Sequence, residues 1–140
     1  TKSIVKNKSI ILIDDSLVRG TTCNKIVKML YESGAKEVHV RIACPEIKYP
    51  DFYGVDMPTK EELLAHKKNI LEMCNHIGAK SLEFLSLAGL YTALKGEKRN
   101  SNYPQFSDHY FTGDYPIKPH DNLANIRSKQ LSLLSGKSNN

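Results

Sequence analysis

The sequence predicts an α/β fold in which a parallel sheet is flanked by helices. A β-branched apolar run, Ser9–Ile13, is typical of a strand, and the alternating run Glu37–Ala43 is typical of a second one. Between them, residues 22–33 carry apolar side chains at helical spacing. A strand–helix–strand unit of this kind forms a right-handed crossover, so the two strands should be parallel neighbours.

The local signals agree with this unit. Because the first strand is continuously apolar, it is predicted to be buried on both faces, as in a parallel sheet covered by helices. Thr21 or Thr22 is the predicted cap of the helix, and Gly34 its stop. The helix has one apolar face, formed by Ile26, Val27, Leu30 and Tyr31.

The rest of the chain continues the alternation less regularly. A loop over 44–58 precedes a capping box of Thr59 and Glu62, which predicts a short helix over 59–66. The further predicted elements are a helix over 68–77 ending at Gly78, a strand over 81–85, a helix from Ser86 to Leu94, an irregular segment over 95–118, a helix over 121–134 and a polar tail. We therefore divide the chain into a sheet-forming part, residues 1–94, and an irregular and helical part, residues 95–140.

Composition excludes several classes of protein. The 140 residues contain no apolar run near the length of about 18 residues that spans a membrane. The net charge of +5 is spread evenly rather than concentrated on an arm, so nucleic acid is not an expected partner. Cys23, Cys44 and Cys74 are widely spaced, which predicts buried free thiols and a reducing, cytoplasmic location rather than disulfides or a zinc site.

The segment that indicates chemistry runs from Ile10 to Thr22, with the sequence IILIDDSLVRGTT. Ligands of parallel sheets bind where strands end, and a helix start offers free N–H groups to a phosphate. Gly20 permits close approach of the backbone, and Thr21 and Thr22 add hydroxyl groups. Asp14 and Asp15 suit sugar hydroxyls or Mg²⁺. One loop can thus hold a sugar by its hydroxyls and its phosphate.

This segment resembles the phosphoribosyl-pyrophosphate (PRPP) loop of type I phosphoribosyltransferases, and in particular of the amidophosphoribosyltransferase family. The resemblance extends over four more stretches: 34–41, 49–59, 83–87 and 111–116. It implies a partial type I phosphoribosyltransferase fold. It also implies a reaction in which ammonia from glutamine displaces pyrophosphate from PRPP to form 5-phosphoribosylamine, the first step of purine synthesis.

The resemblance also implies roles for individual residues. Asp14 and Asp15 would be the catalytic pair, near the ribose hydroxyls and Mg²⁺. The residues that would wrap the 5′-phosphate, mainly by backbone N–H groups, are Ser16, Leu17, Val18, Arg19, Gly20, Thr21 and Thr22. Purine nucleotides, which inhibit this family, would occupy the same loop.

Much of the family enzyme has no counterpart in this sequence. The family has an N-terminal glutaminase domain with a catalytic Cys, and further strands before the PRPP loop, whereas this chain starts at Thr1. We therefore expect a C-terminal part of such an enzyme, with one free sheet edge, inactive alone and homo-oligomeric when complete. Two alternatives remain open: a PRPP- or nucleotide-binding regulatory module of the same fold, and a remnant without function.

Some family members hold an iron–sulfur cluster. The corresponding places here are Asp51 and the stretch 103–110, where no Cys stands, so no cluster is expected. His109 is predicted to lie in a surface loop rather than to bind a metal. Tyr49, Phe52 and Tyr53 are predicted to pack a loop, although Tyr53 and Gly54 could instead border the PRPP site.

Overall fold

The computed structural model describes residues 2–54 and 59–117. Within these ranges the chain forms one sheet of three parallel strands, β1 (Ser9–Asp14), β2 (Glu37–Ile42) and β3 (Ser81–Phe84), in the order β1-β2-β3. Leu12 lies beside Val40, and Val40 lies beside Leu82. The predicted strands and their parallel pairing are confirmed, and the carboxyl ends of all three strands meet at one edge of the sheet.

The described helices are α1 (Lys2–Val5), α2 (Thr21–Glu32), α3 (Leu64–Lys67), α4 (Ile70–Ile77), α5 (Leu87–Lys95) and α6 (His109–Thr112). The helix predicted over 59–66 is divided into a 3-10 turn, Lys60–Glu62, and α3, because Leu63 between them has extended backbone angles. The cap predicted for α5 is confirmed, since Ser86 Oγ accepts a hydrogen bond from Gly89 N at 3.0 Å. The predicted helix over 121–134 and the polar tail lie outside the described residues.

The core lies between one face of the sheet and the helices α2 and α4. Val38 and Val40 of β2 are fully buried, and Val27 of α2 and Ile77 of α4 belong to the same apolar cluster. Each such side chain contributes about 1.5–3 kcal/mol by leaving water. The alternating buried residues of β2 therefore pack in one cluster with the apolar face of α2, as the sequence predicts. No helix of the described ranges has the length and apolar character to cross a membrane.

The prediction that β1 is buried on both faces is wrong. Ile11 and Ile13 are 65% and 72% exposed, and they lie beside His39 and Arg41 of β2 on the face opposite to the core. The rule for continuously apolar strands assumes helices on both faces of the sheet, whereas only one face carries the core in the described part of the chain. β1 is also an edge strand there, as expected for a partial fold.

The segment predicted as irregular, 95–118, contains the short helix α6 and a buried ion pair. Asp108 is 3% exposed and binds the Arg99 guanidinium through both of its carboxylate oxygens. Tyr91 Oη donates to Asp108 at 2.8 Å, which ties the segment to α5. Because polar contacts rather than a periodic apolar face order this segment, its sequence carries no pattern that predicts its structure.

Candidate functional site

The acidic and glycine-containing loop lies at the carboxyl edge of the sheet. β1 ends at Asp14, whose carbonyl accepts a hydrogen bond from Ala43 N at 2.9 Å, and α2 begins at Thr21. An open cavity of about 450 Å³ is lined by the consecutive residues 14–23. All nine residues predicted from the sequence therefore line one cavity, together with Cys23, which the prediction did not include.

Three contacts fix the course of the loop. The Leu17 side chain is 3% exposed and inserts into the core, so only its backbone is available to a ligand. Val18 O accepts a hydrogen bond from Leu64 N at 2.9 Å. The Arg19 guanidinium donates to Glu62 Oε1 through Nε at 3.2 Å and Nη2 at 3.0 Å. The loop is thus braced by the segment 59–64, which is distant in sequence.

Gly20 supplies both the turn and the close packing at the start of α2. Its φ of +77° lies in the left-handed region, which glycine adopts without steric cost. A Cβ at this position would stand 2.8 Å from Leu64 Cδ2 and 3.3 Å from His76 Cδ2. Gly20 is the residue preceding the helix, so the prediction that Thr21 or Thr22 caps α2 with its side chain is wrong.

Replacement of Gly20 by Ala is expected to destabilise the chain by about 1–3 kcal/mol, since a left-handed Ala costs about 1–2 kcal/mol and the new methyl group overpacks Leu64. Urea unfolding monitored by circular dichroism measures this loss. Gly78→Ala is the matched control, because Gly78 has a similar φ of +75° but open space at its Cβ position. Equal losses in the two variants would contradict the packing role of Gly20.

The cavity is lined by the backbone N–H groups of its own loop. Among the described residues, none accepts a hydrogen bond from the backbone N–H groups of residues 16–23. The last three of these groups form the first turn of α2, where the positive end of the helix dipole lies. Thr21 and Thr22 are exposed at the same place, so their hydroxyl groups can donate as well. This arrangement is suited to an anion such as a phosphate group.

Two carboxylates stand at the other end of the same loop. Asp14 Oδ1 accepts a hydrogen bond from Asp15 N at 3.0 Å, and Asp15 Oδ1 accepts one from Ser16 Oγ at 3.2 Å. One oxygen of each carboxylate is thereby oriented by the loop, while each Oδ2 has no hydrogen-bond partner in the described part of the chain. These oxygens can accept hydrogen bonds from sugar hydroxyls or bind a cation.

The cysteines near the loop are protonated thiols. Burial, and secondly the charge of Asp14, raises the pKa of Cys23 to about 11. Burial, and secondly the charge of Asp15, raises the pKa of Cys44 to about 11. All three thiols are free; Cys23 and Cys74 are buried in the core, as predicted, whereas Cys44 is half-buried and packs against it. Thiols in this state are poor nucleophiles and poor metal ligands.

His109 does not lie in a surface loop, and this prediction is wrong. The side chain is buried, with Nε2 at 2.8 Å from Asp51 Oδ1. Tyr53 packs edge-on against the His109 ring, and Phe52 packs against Tyr115, so the predicted packing role of these aromatic residues is confirmed. No group of three or more potential metal ligands occurs in the described ranges. The sequence could not reveal the pairing because Asp51 is 58 positions away from His109.

Comparison with known proteins identifies relatives of this chain. No protein-family model matches it. The amidophosphoribosyltransferase of Rhizobium etli is 50% identical over 135 residues, which are 96% of this chain and 27% of that protein. The enzyme of the same name from Staphylococcus epidermidis is 48% identical over 131 residues, or 94% of this chain and 26% of that protein.

Solved structures agree with the sequence relatives. The glutamine PRPP amidotransferase of B. subtilis, complexed with ADP and GMP, aligns with a TM-score of 0.78 and 42% identity over 87% of this chain and 27% of that chain. A structure described as the allosteric regulatory enzyme of purine biosynthesis aligns with a TM-score of 0.75 and 43% identity over 87% of this chain and 26% of that chain.

The agreement covers nearly the whole of this chain in sequence and most of it in fold, whereas the chain spans only about a quarter of the length of the relatives it matches. By sequence and by fold, this chain belongs to the amidophosphoribosyltransferase family, as a stretch that corresponds to about a quarter of such an enzyme.

Proposed function

We propose that this chain carries the 5-phosphoribosyl-binding loop of an amidophosphoribosyltransferase, the enzyme that forms 5-phosphoribosylamine from PRPP and glutamine-derived ammonia. The observation that carries the proposal is the row of N–H groups over residues 16–23 that have no acceptor among the described residues and that begins directly after two carboxylates at the end of β1. A ribose 5-phosphate has the matching arrangement, with hydroxyl groups at one end and a dianion at the other.

In this proposal the loop divides its tasks by position. Residues 16–22 bind the 5′-phosphate, mainly through backbone N–H groups and the hydroxyls of Thr21 and Thr22. Asp14 and Asp15 accept hydrogen bonds from the ribose hydroxyls and so orient C1. The ammonia nitrogen bonds to C1 while the bond from C1 to the pyrophosphate oxygen breaks, and the nitrogen then loses a proton. The loop contributes by positioning and by charge stabilisation rather than by covalent chemistry.

The donor set of the loop fits Mg²⁺. This ion keeps several waters and is bound through one or two carboxylates together with substrate phosphates. Asp14 and Asp15 offer these two carboxylates, and the described residues contain no group of three or more potential ligands. When bound, Mg²⁺ supplies positive charge to the pyrophosphate group. The proposal includes no iron–sulfur cluster, since no thiolate set exists among the described cysteines.

The same loop is proposed to bind purine nucleotides, because they share the 5-phosphoribosyl group and the related B. subtilis structure is complexed with ADP and GMP. The proposed partners also include the glutaminase and further transferase segments of the family, in a homo-oligomeric complete enzyme. Free cysteines fit a reducing compartment such as the cytoplasm. Residues 1–94 are proposed to carry the phosphoribosyl site, as the C-terminal half of a phosphoribosyltransferase domain.

Titration of the ¹⁵N-labelled 140-residue chain with ribose 5-phosphate in Mg²⁺ buffer tests the proposal. The amide resonances of residues 16–23 are expected to shift, because these N–H groups gain an acceptor, while those of α5 stay in place. Absence of shifts in the loop, or shifts centred elsewhere, would overturn it.

The chain alone is expected not to convert PRPP and ammonium, since it equals about a quarter of the related enzymes, and measured turnover would refute that expectation.

A further inference from the structure

The PRPP-type loop is held from outside by the short segment 59–64. Leu64 N donates to Val18 O at 2.9 Å, and the side chain of Glu62 accepts two hydrogen bonds from the adjacent Arg19. Val18 and Arg19 stand immediately before Gly20, whose left-handed backbone turns the chain into α2. The two contacts therefore act on the residues that set the direction of the N–H groups lining the cavity.

Both carboxylate oxygens of Glu62 are engaged. Oε1 accepts from Arg19 Nε at 3.2 Å and Nη2 at 3.0 Å, while Oε2 accepts from Thr59 N at 3.0 Å and Thr59 Oγ1 at 3.1 Å. Hydrogen bonds from the Thr59 backbone and from Arg19 hold the pKa of Glu62 below its usual value, so this side chain is an anion at neutral pH. Glu62 thus connects Arg19 to the start of the 3-10 turn.

The Arg19 side chain has little else to hold it. It is 57% exposed, and no other carboxylate in the described part of the chain pairs with it. Its backbone N–H makes no hydrogen bond to a described residue. In the proposed function, this group binds the phosphate together with the neighbouring N–H groups of the cavity. Loss of the Glu62 contact would free both the guanidinium and the peptide unit that leads to Gly20.

We propose that Glu62 is a positioning residue of the phosphate-binding loop, acting through Arg19 to hold the N–H groups around Gly20 in their binding geometry. The identity of the ligand rests on the proposed function, whereas the effect on the loop does not. Glu62 lies outside the loop and touches no substrate in this proposal. Its contribution is the order of the loop before the phosphate arrives.

The test compares Glu62→Ala with Glu61→Ala in the 140-residue chain. Both variants remove one exposed carboxylate from the same 3-10 turn, and both acidic residues interact with Thr59, but only Glu62 reaches Arg19. Exposed ion pairs contribute about 0.2–1 kcal/mol, so the affinity of the Glu62→Ala chain for ribose 5-phosphate should fall by a factor of about 1.4 to 5. Hydrogen exchange of the Leu64 backbone amide, which donates to Val18 O, should become faster. Glu61→Ala should change neither the affinity nor the Leu64 exchange rate.

A second pair of variants tests whether Glu62 acts through Arg19. In an Arg19→Met background, Glu62→Ala should no longer change the Leu64 exchange rate, because the contact that transmits its effect is already absent. The proposal would be overturned if Glu62→Ala changed the Leu64 exchange rate as much in the Arg19→Met chain as in the chain that keeps Arg19. It would also be overturned if Glu62→Ala left the affinity for ribose 5-phosphate unchanged or raised it. If the unaltered chain binds no ribose 5-phosphate, the proposed function fails, and Leu64 exchange still decides the role of Glu62.

Discussion

Simultaneous replacement of Asp14 and Asp15 by Asn is expected to weaken PRPP binding by about 10- to 100-fold in Mg²⁺ buffer. Hydrogen bonds to charged groups contribute about 1.5–3 kcal/mol, and each carboxylate has one oxygen without a described partner. The Asn side chains keep the size of the originals and one carbonyl oxygen, but lose the negative charge that would hold Mg²⁺ in the proposed site. Isothermal titration calorimetry measures the change directly.

The matched control for this variant removes two carboxylates from the opposite end of the same unit. Glu32 closes α2 and Glu37 opens β2, so Glu32→Gln with Glu37→Gln alters the net charge equally without touching the loop. The control chain should bind PRPP within about twofold of the original, because exposed charges are screened beyond about 10 Å. Equal weakening in the two double variants would show a general charge effect and count against the roles of Asp14 and Asp15.

Replacement of Asp108 by Asn is expected to cost about 3–5 kcal/mol of stability. Asp108 is 3% exposed and accepts hydrogen bonds from Arg99 and Tyr91. Breaking a buried pair by removing one member is strongly destabilising, and among the described carboxylates the Arg99 guanidinium would keep only the exposed Asp114. Urea unfolding at pH 7 gives the free energy of unfolding of each chain.

Asp114→Asn is the control, since Asp114 binds the same guanidinium at 2.6 Å but is 55% exposed. Its loss should stay below about 1 kcal/mol, as for exposed pairs. Similar losses in the two variants would mean that burial does not govern the strength of the Arg99–Asp108 pair. The two measurements together separate a buried ion pair from an exposed one around one cation.

The same ion pair should make stability depend on pH. Burial raises the pKa of Asp108, but hydrogen bonds from Arg99 and Tyr91 and the charge of Arg99 outweigh it, so the pKa lies below its usual value. A carboxyl group with a lowered folded-state pKa stabilises the fold above its unfolded pKa of about 3.9 and loses that contribution as the pH falls through its folded value. The difference between the original chain and Asp108→Asn should therefore shrink below about pH 4.

Local sequence was sufficient for the strand–loop–helix unit around the site. The apolar run before Asp14, the glycine before Thr21 and the helical spacing after it are contiguous, so neighbouring residues determine most of that geometry. The cap was mispredicted because Thr21 and Thr22 are favourable capping residues in isolation, whereas Gly20 precedes the helix to permit contact with Leu64. Tertiary packing therefore overrode a local preference at a position where two segments meet closely.

The sequence by itself determined the parallel α/β unit and the course of the loop that we propose binds phosphate, because both depend on residues close together along the polypeptide. Only the tertiary structure decided that one sheet face carries the core, that Glu62 braces Arg19, that Asp51 meets His109 and that Arg99 binds Asp108. These contacts join loops or polar side chains without a repeating apolar pattern. The partners in these contacts are brought together by the folded path of the chain, and local propensities do not determine that path.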